Sequence, residues 1–435
     1  MPYRMWVPRV TNLVLENKPV PLSPLKPPNR WLAAYLLLAT LHAAAATAEQ
    51  TALELPKTGL EASELAVIVN DNDPLSLHIA DYYQKSRGIP AGNIVHVRFP
   101  PNTANLPRET FKAIREMVLS QTGPKIQAYA LAWTLPYRVD CMSITSAFAL
   151  GFDEAYCSAK QCAATKPSGY FNSPSHAPNS DHHIRPAMLL AGQNFDAVKR
   201  LIDRGVASDH TFPDHTGYLL NTSGKSRSVR AAFFDRTVKA LGSAFRVKKL
   251  DADSIKDKQD VLFYFTGSVR VNNLASLGFV PGAIADHLTS VGGVLDGDGQ
   301  MSSLRWLEAG ATGSFGAVVE PCNHLQKFPV PAVAMWHYAK GESLIESYWK
   351  SVAWPGEGVF IGEPLAKPFA PRLAYVGKDR ANLEIFSPDN EILSLEASPS
   401  LIGPYRRMAA YPLYPGINRL EIRLPDSGLH YRLAL

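Results

Sequence analysis

Only four cysteines occur in 435 residues, Cys141, Cys157, Cys162 and Cys322, and their one close pair has no second pair to complete a structural zinc site. Strong positive charge is missing as well. The net charge of +5 rests largely on the first 48 residues, where Arg4, Arg9, Lys18, Lys26 and Arg30 face a single acid, Glu16. Of 44 basic and 39 acidic residues, 39 and 38 lie beyond that point. A nearly neutral body without a basic stripe lacks the footprint of a nucleic-acid binder, so no nucleic-acid partner is expected. After the leader, no apolar run approaches the roughly 20 residues that a membrane span requires. Phosphate and dinucleotide fingerprints are absent too: Gly292, Gly293, Gly297 and Gly299 in GGVLDGDGQ fit neither spacing, and DGDG lacks the other ligands of a calcium loop. That stretch reads as a turn or lid, and neither cofactor nor metal is expected.

What is present describes a globular chain. Hydrophobic residues make up 46% and charged ones 19%, and the length suits two folded units plus a processed segment. In NRWLAAYLLLATLHAAAATAEQ, Arg30 precedes an apolar stretch from Trp31 to Leu41. Ala46-Thr47-Ala48 before Glu49 then fits the cleavage rule of an export signal. Residues 1–48 therefore read as leader and signal peptide, with an uncleaved anchor as the alternative, and the address is periplasmic or secreted. In such an oxidising compartment four cysteines pair in three ways. Cys157 and Cys162 have the spacing of a small closed loop. Its complement, Cys141 with Cys322, would remove any thiolate at Cys322.

Between 60 and 370 strands alternate with helices. ELAVIVND is a buried strand ending in Asn70, Asp71, Asn72 and Asp73, and a helical pattern follows from Ser76. NIVHVRF, IQAYALAW, RPAMLLAG, DVLFYFTGS, GAIADHLTSVGG and GAVVEPCNH are further strands. RETFKAIREMVLSQ, NFDAVKRLIDRGVAS, SVRAAFFDRTVKALGS and MSSLRWLEAG are helices. The alternation predicts an α/β fold, a mostly parallel sheet with helices on both faces and its polar loops on one edge. Residues 140–183, rich in Ser, Pro, Asn and His, read as a long surface loop insertion. Its His176, Asp181, His182 and His183 could hold a metal with His210 or His215, although scattered surface histidines are commoner. From 371 to 435 short alternating runs split by turn residues predict a small β-sandwich-like module.

Three strand ends carry reactive groups: Ser268 follows one, Asp286 and His287 a second, and Glu320 and Cys322 a third. Neighbouring strands would bring these ends within roughly 5 to 10 Å of one another. Neutral Ser and Cys need a base to become nucleophiles, and imidazole titrates near neutral pH. His287 is thus the candidate base, Cys322 the candidate nucleophile and Ser268 its competitor, with Asp286 or Glu320 orienting the ring. Without chemistry, Asn323 and His324 would cap loop backbone, and Asp286 and Thr289 would cap the helix that follows.

The series ELAVIVND, SRGIP, PYRVDCMSITSAFALGFDE, RPAMLLAG, LIDRGVASD, GAIADHLTSVGG, GATGSFGAVVEPCN and VFIGEPLAKPF resembles a bacterial family of exported proteins that has no established activity. FYFTGS, GATGSFGAVVEP and VFIGEPLA also resemble segments of the gingipain-like cysteine peptidases. That resemblance implies a caspase-like fold followed by an immunoglobulin-like domain, and hydrolysis of a peptide or other acyl substrate. Where those peptidases place their catalytic histidine this chain has Ser268, and near their nucleophile it has Asp286 and His287. The expectation is therefore twofold: a hydrolase using His287 with Cys322 or Ser268, or a non-catalytic binding protein that uses the same cleft for a peptide or protein ligand.

Overall fold

The computed structural model describes residues 53–158, 162–426 and 428–435, so the export signal expected within 1–48 lies outside the described residues. In chain order the first strands are β1 (Leu53–Glu54), β2 (Leu65–Asn70), β3 (Ile94–Val97), β4 (Ala128–Leu131), β5 (Arg138–Val139), β6 (Met142–Ser143) and β7 (Ala187–Leu189). They continue as β8 (Thr216–Asn221), β9 (Arg246–Asp251), β10 (Val261–Gly267), β11 (Phe279–Leu288), β12 (Gly313–Ala317) and β13 (Gly358–Gly362). Ten of these form one sheet in the order β3-β2-β4-β7-β13-β12-β11-β10-β8-β9. β2 and β10 are buried along their whole length, which is why LAVIVN and VLFYFTG are apolar without alternation. The edge strand β9 exposes Arg246, Lys248 and Lys249, charges that discourage pairing with another chain.

The sheet is two parallel halves joined back to back. β2, β3, β4, β7 and β13 run one way, and β8, β9, β10, β11 and β12 the other, with the antiparallel pair β12–β13 as the seam. Numbered by chain order, each half has its strands in the order 2-1-3-4-5, a doubly wound arrangement. The seam is tight. A Cβ on Gly316 of β12 would lie 2.4 Å from backbone atoms of Gly292 and Gly293, so the Gly-Gly turn can pack on this strand only because both sides lack side chains.

The helices are α1 (Pro74–Arg87), α2 (Arg108–Gln121), α3 (Ile144–Leu150), α4 (Pro178–His182), α5 (Phe195–Ser208), α6 (Phe234–Leu241), α7 (Leu304–Ala309), α8 (Pro331–Ala339) and α9 (Leu344–Lys350). Because side chains alternate along a strand, β2 feeds two cores. Val67 and Val69 join Ile79 and Tyr83 of α1 and Tyr348 and Trp349 of α9. Ala66 and Ile68 join Phe111 and Ile114 of α2 and Phe148 of α3. Helices thus cover both faces of a mostly parallel sheet, as expected.

Two local expectations change. The 140–183 segment is not only a surface loop, because α3 is buried from Ile144 to Ala149 and Ser146 Oγ donates to Pro355 O at 2.6 Å. SVRAAFFDRTVKALGS is not one helix, because Ser228–Phe233 forms a 3-10 turn before α6 begins.

The tail contains β14 (Arg372–Tyr375), β15 (Arg380–Ser387), β16 (Glu391–Ser398), β17 (Arg406–Leu413), β18 (Gly416–Arg423) and β19 (His430–Ala434). They build two small sheets, β14-β15-β18 and β1-β19-β16-β17, whose apolar residues, among them Leu383, Leu395, Ile422 and Leu433, share one core. Strand β1 belongs here, Leu53 pairing with Tyr431, so the tail recruits residues from far outside 371–435. Phe386 of β15 stacks on Phe245 at 5.0 Å and Lys340 pairs with Glu391 at 2.5 Å, which joins tail to body.

Candidate functional site

Strands β10, β11 and β12 are neighbours, so the three strand ends singled out in the sequence do lie side by side. Phe265 pairs with Asp286, Thr266 with His287 and Gly267 with Leu288. Asp286 and His287 therefore sit inside the sheet rather than at its rim, and both are about 1% exposed. As adjacent residues of a strand they point to opposite faces.

Asp286 meets Arg230, whose Nη1 lies 2.5 Å from Oδ1, both side chains being buried. Arg230 also donates from Nη2 to Thr266 O at 2.6 Å. Burial pushes the Asp286 carboxyl up to about 6, although the guanidinium pulls the other way. The aspartate faces this arginine, on the side of the sheet away from the imidazole, and does not orient His287.

His287 has no free lone pair. Indole N–H groups only donate, so the 2.9 Å contact from Trp306 Nε1 makes His287 Nδ1 the acceptor. The proton then sits on Nε2, which donates to Met301 O at 3.0 Å. Burial draws its pKa down to about 4, the Met301 carbonyl only partly opposing this. A neutral imidazole with both nitrogens engaged is a structural group, not the general base that the sequence suggested.

Cys322 is bonded to Cys162, and Cys141 to Cys157; no cysteine is free. Neither pairing weighed from spacing, Cys157 with Cys162 or Cys141 with Cys322, occurs. The nucleophile expected at position 322 is a disulfide sulfur in this state. Glu320 Oε1 accepts the Cys322 N–H at 2.8 Å, closing a tight turn in which Cys322 has a φ of 52°. His324 Nε2 donates to Cys162 O at 2.9 Å and fastens the same junction. Ser268 caps its own turn, Oγ donating to Arg270 O at 2.7 Å, and has no base beside it among the described residues.

What remains at this rim is a small cavity of about 250 Å³ lined by Arg227, Thr289, Ser290, Glu320 and Asn323. Gly267 lets the Arg227 backbone approach the end of β10, since a Cβ there would lie 1.9 Å from Arg227 O. Thr289 Oγ1 accepts from Arg227 Nε at 3.3 Å and donates to Gln300 Oε1 at 2.7 Å.

The chain matches no family model, no curated protein and no solved structure. Its chemistry has therefore to be read from its own residues.

The other half-sheet has a larger crevice, about 530 Å³, beyond the ends of β2, β4 and β7. Asp73, Asn102, Thr134 and Gln193 come from the first half, and Asp296, Asp298 and Arg305 from the segment after β11. Three carboxylates and one guanidinium line it, and that guanidinium already pairs with Glu308 at 2.6 Å. Burial, and then Asp296 beside it, push the Tyr137 phenol up to about 12. Sequence reasoning missed these residues. Asp73 was visible only as one of a polar run after a strand, and DGDG only as a turn.

The suggested histidine cluster does not gather. His182 contacts Ser173 Oγ at 2.8 Å, while His210 Nδ1 donates to the carbonyls of Ala370 and Pro371. His176, Glu342 and Glu346 do place ligand atoms within 4.8 Å of one another. Lys350 already lies 2.6 Å from Glu342 Oε2, however, and His337 Nδ1 2.7 Å from Oε1. The chain itself meets the negative charge that would attract a cation.

Proposed function

We propose that this is an exported, periplasmic or secreted, binding protein with a caspase-like body and a β-sandwich tail. It has no working cysteine–histidine pair, and it recognises a peptide or protein ligand at a strand-end crevice. One observation carries the reading: the imidazole of His287 has no free nitrogen and the sulfur of Cys322 is bridged. Nucleophilic catalysis needs a thiol or hydroxyl with a base in reach, and neither group supplies one. The two disulfides fit an oxidising compartment. The strand order of β8 to β12 supports the caspase-like assignment.

Ligands of open α/β sheets bind beyond the carboxyl ends of the strands where the strand order reverses. Of the two crevices so placed, that of about 530 Å³ has the size of ordinary ligand sites. Its excess of carboxylates favours a basic segment of the ligand. Fluorescence anisotropy with lysine- and arginine-rich peptides, acidic peptides as controls, and an Asp296→Asn/Asp298→Asn variant tests this. The basic peptides should bind, about tenfold more weakly to the variant. Turnover of fluorogenic peptides is measured alongside, with and without dithiothreitol. Reductant-dependent cleavage that disappears in Cys322→Ala would establish the hydrolase instead.

A further inference from the structure

The turn joining β16 to β17 presents bare apolar side chains. Leu401 is 72% and Ile402 95% exposed. They are held out rather than left loose. Ser400 N donates to Ser398 Oγ at 3.1 Å, Gly403 N to Ser400 O at 3.0 Å and Tyr405 Oη to Leu401 O at 3.2 Å. Directly behind, Arg406 and Arg407 are exposed on β17, the outer strand of its sheet, and neither is in an ion pair among the described residues. A bulge opposite Leu395 and Glu396 leaves Met408 unpaired in the ladder and 53% exposed.

The adjoining turn adds to this surface. Ser398 pairs with His430 at the start of β19, and Leu424, just after β18, donates its N–H to Asp379 O. The turn after β14 therefore lies at the same end of the two sheets, where it exposes Val376 and Lys378. The acid of that turn, Asp379, lies 3.9 Å from Arg380.

We propose that this end of the tail docks reversibly on an anionic lipid surface. Leu401 and Ile402 enter the boundary between headgroups and acyl chains, and Arg406, Arg407 and Lys378 meet the lipid phosphates. An exposed apolar tip of two residues favours a bilayer over a protein partner. A stable protein interface needs roughly 1,000 Å² of matched surface, whereas lipids close around any shape.

Co-sedimentation of the purified full chain with vesicles tests the proposal, using phosphatidylcholine alone and phosphatidylcholine with about one-third phosphatidylglycerol. Comparing variants of the same chain cancels any contribution from residues 1–48. Binding to the anionic vesicles should weaken as salt is raised. It should fall about fivefold or more in Leu401→Ser/Ile402→Asp and in Arg406→Glu/Arg407→Glu, with melting temperatures unchanged. No binding to anionic vesicles overturns the proposal, as does equal binding by wild type and tip variant. So does capture of a protein partner that is lost in the tip variant while vesicle binding is not.

Discussion

Trp306 donates its indole N–H to Nδ1 of His287 across 2.9 Å, and this bond settles the tautomer of the imidazole. Replacing Trp306 by Phe removes the donor and leaves a buried nitrogen unpaired beside a smaller ring. The expected cost is about 2–4 kcal/mol of stability, measured by urea unfolding. A loss below about 0.5 kcal/mol would show that the indole does not hold the ring.

Stability should fall on the acid side because of His287. Its folded pKa of about 4 lies below the ordinary 6.5, so its contribution is full above pH 6.5 and is lost as pH falls towards 4. The shift corresponds to about 3 kcal/mol. Asp286, raised to about 6, acts in the opposite sense, losing stability as pH rises from about 4 to 6. Unfolding free energies of wild type and His287→Gln between pH 7 and 4.5 separate the two. Parallel curves would remove His287 as the source.

The two disulfides should differ in weight. Cys162–Cys322 closes a loop of sequence separation 160 and Cys141–Cys157 one of 16. Chain entropy then assigns about 5 kcal/mol to the first and about 3 kcal/mol to the second. Paired serine replacements, compared by denaturant melts, should rank in that order. Mass mapping of non-reduced peptides checks the pairing itself.

Gly316→Ala should cost about 2–3 kcal/mol, because its methyl would meet the Gly292–Gly293 backbone, which has no side chain to move aside. Gly299→Ala is the control. Nothing lies within 4 Å of the added carbon there, so a change within about 0.5 kcal/mol is expected in thermal melts.

Much of the architecture was legible in the sequence. LAVIVN and VLFYFTG announce strands covered on both faces, and the regular strand–helix alternation announces a parallel sheet. The adjacency of β10, β11 and β12 stood only as a condition in the sequence, and the sheet meets it, in line with the tendency of consecutive strands to lie side by side. What failed was the end point of β11. Taking GAIAD as the whole strand puts Asp286 and His287 at a solvent rim, but the ladder continues to Leu288 and carries both inside. The period of two already implied that they face opposite sides. The duplicated strand order left no trace either, because the two halves share an order of neighbours rather than residues.

Composition and local pattern thus decided the class of fold, the apolar strands, the polar strand caps and the β-rich tail, all properties of short segments. The tertiary structure alone decided that Cys322 finds Cys162, that Trp306 takes the lone pair of His287, that Arg230 reaches Asp286 and that Leu53 joins the tail. Those outcomes depend on which distant segments the sheet brings together. Spacing along the chain carries no information about a contact made 160 residues away.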